Sequence, residues 1–130
     1  MRTNFGFGKS VNDSFDDAIE RVTEELAKEG FGILTVIDVQ GTLKAKLDKD
    51  IGPFRILGAC NPALADQAIA AVPEIGLLLP CNVLVREDDE SQVHVSFMDP
   101  GAVLGLVNHA GVDPLADQVK AKLERVLAAL

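Results

Sequence analysis

Tryptophan and tyrosine are absent from this 130-residue chain, and its only aromatic side chains are six phenylalanines. Exposed aromatics form the platforms on which single-stranded nucleic acids stack, so their scarcity argues against such a partner. Basic residues are outnumbered as well, with 12 Lys and Arg against 20 Asp and Glu and a formal net charge of -8. That field repels polyphosphates and anionic lipid surfaces, which argues against nucleic acid and membrane partners. No apolar run approaches the roughly 20 residues of a spanning helix. The opening Met1-Arg2-Thr3-Asn4-Phe5-Gly6 also lacks the apolar core of a secretory signal. A cytoplasmic location is expected. Two cysteines are too few for a disulfide framework, and a reducing compartment keeps them as thiols unless they carry redox work.

What is present is apolar material, 48% of the residues, enough to offset the entropy of ordering the chain. The length suits one core, hence a single domain over residues 1–130. Phe5 to Lys9 reads as a first strand. A helix begins at Asn12 or Ser14, because Phe15, Ile19, Val22 and Leu26 share one face and Ser14 with Asp17 has the form of a capping box. Gly30 supplies its left-handed stop. The β-branched run Ile33 to Val39 predicts a central strand. Gln40 to Leu47 reads as a short helix and Phe54 to Cys60 as a strand. Asn61-Pro62 then opens a helix that ends before Pro73.

Ile75 to Leu79 is an apolar approach to Pro80-Cys81-Asn82, followed by a strand through Arg86 and the acidic turn Glu87-Asp88-Asp89-Glu90. Val93, Val95 and Phe97 alternate with Gln92, His94 and Ser96, the period of a strand with one buried face. The two strands flanking the acidic turn form a hairpin most economically. Asp99-Pro100-Gly101 breaks the chain, and Ala102 to Val107 has the makings of a short helix. Asp113 is the expected cap of the last helix, which carries Leu115, Val119, Leu123, Val126 and Leu130 on one stripe. With no repeat or linker, this order predicts an α+β domain of two layers.

Most motifs fail on spacing. Gly8-Lys9-Ser10 lacks the earlier glycine of a phosphate loop, since Thr3 stands there, and Asp48 to Gly52 places its glycine one position early for a calcium loop. Four carboxylates at a hairpin tip read as a solvated turn. His94 and His109 have no partner at metal-ligand spacing. Neither a nucleophile elbow nor a dinucleotide fingerprint occurs, so no common enzyme class is signalled, no cofactor is specified and a non-catalytic role is expected.

The specific feature is a doublet, Gly58-Ala59-Cys60-Asn61-Pro62 and Leu79-Pro80-Cys81-Asn82. Each Cys-Asn pair sits at a strand end beside proline. Cys60 precedes a helix whose unpaired N–H groups stabilise a thiolate. Against this stands the plain alternative of two small buried hydrophobes and two capping asparagines. A helix of about ten residues covers about 15 Å. If an extended segment retraces that distance at about 3.3 Å per residue, the two thiols meet at one edge of neighbouring antiparallel strands. A parallel crossover separates them instead.

Leu57-Gly58-Ala59-Cys60-Asn61-Pro62, then Leu79-Pro80-Cys81-Asn82-Val83 and Asp99-Pro100, resembles the bacterial and archaeal domain of unknown function 302 family. The similarity runs from the Ser14-Phe15 helix start through Glu29-Gly30-Phe31-Gly32 to the final helix. The resemblance implies a β-α-β(4)-α fold, with a mainly antiparallel sheet, helices on one face and an architecture like that of the TATA-box-binding protein, and it implies a homodimer. Its marked positions fall on Cys60, Asn61, Pro62, Pro80, Cys81, Asn82 and Asp99. Two readings of that constellation stay open. One is a dimeric small-ligand-binding or sensory domain whose pocket is lined by Cys60, Asn61, Cys81 and Asn82 with Asp99 and Met98, the amides orienting a polar ligand. The other is a thiol redox, soft-metal or haem protein in which Cys60 and Cys81 are joined by Met98 and His94.

Overall fold

The computed structural model describes residues 1–130. Its elements are β1 (Gly6–Val11), α1 (Phe15–Lys28), β2 (Gly32–Asp38), α2 (Val39–Leu47), β3 (Phe54–Cys60), α3 (Pro62–Ala71), β4 (Cys81–Glu87), β5 (Val93–Met98), α4 (Pro100–Leu104) and α5 (Asp113–Ala129), with short 3₁₀ turns at Pro73–Leu78 and Gly105–Val107. The five strands form one sheet in the order β1-β5-β4-β3-β2, every neighbour antiparallel. This is the α+β arrangement expected from the order of the elements.

Alternation decides the faces. Val83, Val85, Val93, Val95 and Phe97 are buried while their neighbours Asn82, Leu84, His94 and Ser96 are not. The buried face carries α1, α3 and α5. Val22 and Leu26 of α1, Leu64 and Ala68 of α3, and Leu115, Val119, Leu123 and Val126 of α5 join the strand residues in one cluster of 24 buried side chains. No polar or charged residue is buried. At the β1–β5 pair, Phe7 lies opposite Phe97 with ring centroids 5.8 Å apart, a separation at which aromatic pairs add to simple burial.

Local chemistry sets the helix ends. The Asp17 N–H donates to Ser14 Oγ at 3.2 Å, starting α1. At its other end Gly30 has φ +86°, and the N–H groups of Gly30 and Phe31 return to the carbonyls of Ala27 and Leu26. Only glycine enters that region without a steric cost, and these two bonds satisfy carbonyls the helix leaves open.

Three expectations are corrected. The β2 strand is not central: it forms an edge of the sheet, with Leu34, Val36 and Ile37 exposed, because composition reports what a strand can bury and not which neighbours it receives. Asp113 is not the cap of α5. It occupies the first turn, and its N–H and that of the buried Val112 both donate to the His109 carbonyl, which ends the preceding loop. The segment after α3 does not run extended; Pro73–Leu78 coils as a 3₁₀ turn around the buried Ile75. At about 2 Å per residue such a turn still covers most of the length of a ten-residue helix.

Candidate functional site

The return of the chain after α3 brings the two cysteines together. Ala59 pairs with Cys81 across the β3–β4 ladder, so Cys60, the next residue and the last of β3, comes to the same end of the sheet. Both thiols are free. Both residues line one cavity of about 30 Å³, with Phe31, Leu64, Leu79, Leu104 and Leu115 among its 13 residues, 11 of which are hydrophobic. Cys60 is half-buried and Cys81 is 6% exposed. Burial pushes the Cys81 thiol up to about 11, and proximity to Cys60 acts in the same direction. A thiol in such a setting stays protonated at neutral pH, because a low-dielectric wall penalises the thiolate.

Asn61 is at this cavity as well, but its amide is already committed. Its Oδ1 accepts from the Leu64 N–H at 3.4 Å, capping α3, and its Nδ2 donates to the Glu29 carbonyl at 3.3 Å. The side chain thus pins the start of α3 to the end of α1. Close packing around Pro80 shapes the same region. A Cβ on Gly58 would collide with the Thr35 hydroxyl and come within 2.9 Å of Pro80 Cγ.

The remaining residues picked out from the sequence do not join this cavity. Asn82 is exposed and points to the open face of the sheet, where it lines a broad depression with Phe5, Leu84 and Met98. Strand alternation is the reason: consecutive residues Cys81 and Asn82 must leave opposite faces. Asp99 caps α4, with Oδ1 accepting from the N–H groups of Gly101 and Ala102, and its Oδ2 takes a bond from Lys120 Nζ at 3.1 Å. Burial works to raise its pKa, yet the Lys120 hydrogen bond and charge together with the two N–H donors hold it below the ordinary carboxylate value. His94 is bonded to Asp88 and Ser10 on the open face. Met98 and His94 are therefore not placed to complete a metal shell around the thiols, and no group of three or more His, Cys, Asp or Glu side chains is arranged to hold a metal ion.

Sequence reasoning missed Phe31, Leu79, Leu104 and Leu115 as cavity walls. Leu115 was legible as a core position of α5, but nothing in its spacing tells which end of the sheet it covers. Asp88 was read as one carboxylate in a solvated turn. In the structure its Oδ1 accepts from the N–H groups of Glu90 and Gln92, which fixes the turn.

The family model for the domain of unknown function DUF302 matches residues 7–130. The chain belongs to the DUF302 family. Among solved structures, the uncharacterized conserved protein DUF302 from Bacillus stearothermophilus is similar, with a TM-score of 0.88, 27% sequence identity, and 95% of this chain and 96% of that chain covered. No curated protein matches. The DUF302 match spans β1 to α5 and so includes both cysteines and the whole sheet that carries them. No helix of this DUF302 chain is long and apolar enough to cross a membrane.

Proposed function

We propose that this chain is a non-catalytic, cytoplasmic binding or sensory domain whose working element is the Cys60–Cys81 thiol pair, with a soft, thiophilic metal ion of the copper(I) class as its ligand. The observation that carries this reading is that two cysteines, both free, line one small apolar cavity. A volume of about 30 Å³ suits a single ion and leaves no room for a haem or a multi-atom organic ligand. The committed Asn61 amide and the outward position of Asn82 also remove the polar groups that would orient such a ligand. Thiolates select soft metals over hard ones, and two sulfur donors satisfy a linear copper(I) site. Binding would release the thiol protons, so the high Cys81 value sets a pH-dependent threshold for capture.

The test is an anaerobic copper(I) titration in competition with a coloured chelator. One equivalent should be withdrawn from the chelator by the native protein and none by Cys60→Ser or Cys81→Ser. Indifference of the native protein to copper(I) would sink the reading.

The homodimer is proposed on a separate observation, the uncovered arm of β2 and α2. Leu34, Val36 and Ile37 are 66%, 57% and 49% exposed on an unpaired strand edge, and α2 buries none of its residues. A nine-residue helix is marginal without packing. A second copy of this chain is the occupant that fits: Gly32 to Ile37 carry no charge, so two molecules of net charge -8 can approach along this edge, and antiparallel pairing of β2 with its own copy closes a two-fold interface. Sedimentation equilibrium should give a dimer for the native chain and a folded monomer for Val36→Lys. A monomeric native chain would refute it.

A further inference from the structure

At the β1 side of the open sheet face lies a polar depression of about 250 Å³, lined by Met1, Lys9, Ser10, Arg86, His94 and Ser96. The strand register assembles it. His94 lies opposite Ser10 on one side and opposite Arg86 on the other, while Ser96 lies opposite Gly8. From this arrangement we propose a binding site for a compact oxyanion of the phosphate class, remote from the thiol cavity and independent of it.

Charge is the first argument. Arg2, Arg21, Arg55 and Arg125 each hold a carboxylate, as expected where acids outnumber bases 20 to 12. Arg86, at this depression, is the one arginine without such a partner. A guanidinium left unpaired in a concavity, in a chain rich in carboxylates, is a local positive centre against the general negative field. It offers two parallel N–H groups to neighbouring oxygens of one anion.

The second argument is preorganisation. His94 Nε2 lies 2.7 Å from Asp88 Oδ2, and its Nδ1 lies 3.2 Å from Ser10 Oγ. Asp88 is itself fixed by the N–H groups of Glu90 and Gln92. The imidazole is thereby locked between the Asp88 carboxylate and the Ser10 hydroxyl, with Arg86 opposite it in the ladder. Gly8 leaves the neighbouring Ser96 hydroxyl uncovered, since a Cβ there would come within 2.6 Å of it. The order Ser10, His94, Asp88 matches that of an acyl-transfer triad. All lining residues except Met1 lie in strands, however, and no helix terminus or loop presents the N–H pair that holds an oxyanion. Hydroxyls, imidazole and guanidinium here serve to bind.

The experiment is a ¹H–¹⁵N NMR titration of the full chain with inorganic phosphate, against chloride at matched ionic strength. Saturable shifts at the Arg86 side chain, His94 and Ser10 with phosphate alone are expected, weakened at least tenfold in Arg86→Gln. The dispersion of the variant's own ¹H–¹⁵N spectrum shows that it is folded. A parallel titration with phenyl phosphate separates the sources: tighter binding assigns an organic monoester, equal binding assigns the free ion. Equal shifts with chloride, or native affinity in Arg86→Gln, would overturn the proposal. So would covalent labelling of Ser10 by a fluorophosphonate, which would make the hydroxyl a nucleophile.

Discussion

Cys81 stands directly across the β3–β4 ladder from Ala59, one residue short of Cys60, and that offset places one thiol inside the core and the other at its rim. The two cysteines line one cavity without sharing an environment. Cys60 should therefore react first with a disulfide reagent at neutral pH, and Cys81 only on unfolding or at high pH. Because the folded thiol of Cys81 is raised from 9.0 to about 11, the native state retains a proton that the unfolded chain releases between those values. Stability is fully present below about pH 9, falls as pH rises through the window and levels off above it. The loss is on the order of 3 kcal/mol at about 1.4 kcal/mol per pH unit. Urea denaturation at pH 8 and pH 11 should show it in the native protein, and the difference between native and Cys81→Ala should shrink accordingly.

Gly58 is expected to be intolerant of even one methyl group. The colliding atoms belong to Thr35 on the neighbouring strand and to Pro80, which precedes Cys81. Gly58→Ala should cost about 1–3 kcal/mol through overpacking. Removing the Thr35 hydroxyl in the double variant Gly58→Ala/Thr35→Ala should recover part of that cost, leaving the portion due to Pro80. Thermal denaturation of the two single variants and the double variant closes the cycle. Additive losses would show that the two side chains do not compete for the same space.

The sequence was most informative where one chemical requirement admits few solutions. Ser14, Gly30 and Asn61 each mark a helix end by a backbone need that few residues meet, and each does so in the structure. The alternation from Val93 to Phe97 told which residues face the core, and His94 and Ser96 do face away. Sequence could not tell what lies beside a strand. Ile33 to Val39 has the same composition whether it is flanked on two sides or one, which is why β2 was misplaced. Nor could the Cys-Asn doublet reveal that Cys81 and Asn82 point to opposite faces until the strand was known to begin at Cys81 itself. The expected pocket of six residues divides at that alternation.

Asp99 joins two roles that a single substitution separates. Asp99→Asn keeps an acceptor for the Gly101 and Ala102 N–H groups but loses the charge facing Lys120. Since the folded carboxyl lies below its ordinary value, its contribution is present above about pH 4 and is lost as pH falls through the folded value. The native protein should exceed Asp99→Asn in stability by about 1 kcal/mol at pH 7, with the gap closing in acid. Asp99→Ala should lose about 1 kcal/mol more, because it also removes the cap. Urea titrations at pH 7 and pH 3 would check both steps.

Asn61 ties α3 to α1 directly beside Cys60, so its loss should be felt in both stability and thiol access. Asn61→Ala removes the acceptor for the Leu64 N–H and the donor to the Glu29 carbonyl. A missing cap alone costs about 1 kcal/mol, and an unmet carbonyl adds to it if water cannot reach that atom. Asn61→Asp restores the cap but sets a carboxylate oxygen against the Glu29 carbonyl, so its stability should fall between the other two. The informative reading is the rate of Cys60 modification. If the amide holds the cavity mouth closed, Asn61→Ala should raise that rate severalfold at pH 7 under native conditions, with Asn61→Asp intermediate. An unchanged rate in a folded Asn61→Ala would mean that Cys60 is guarded by the packing of Leu64 and Pro80 alone.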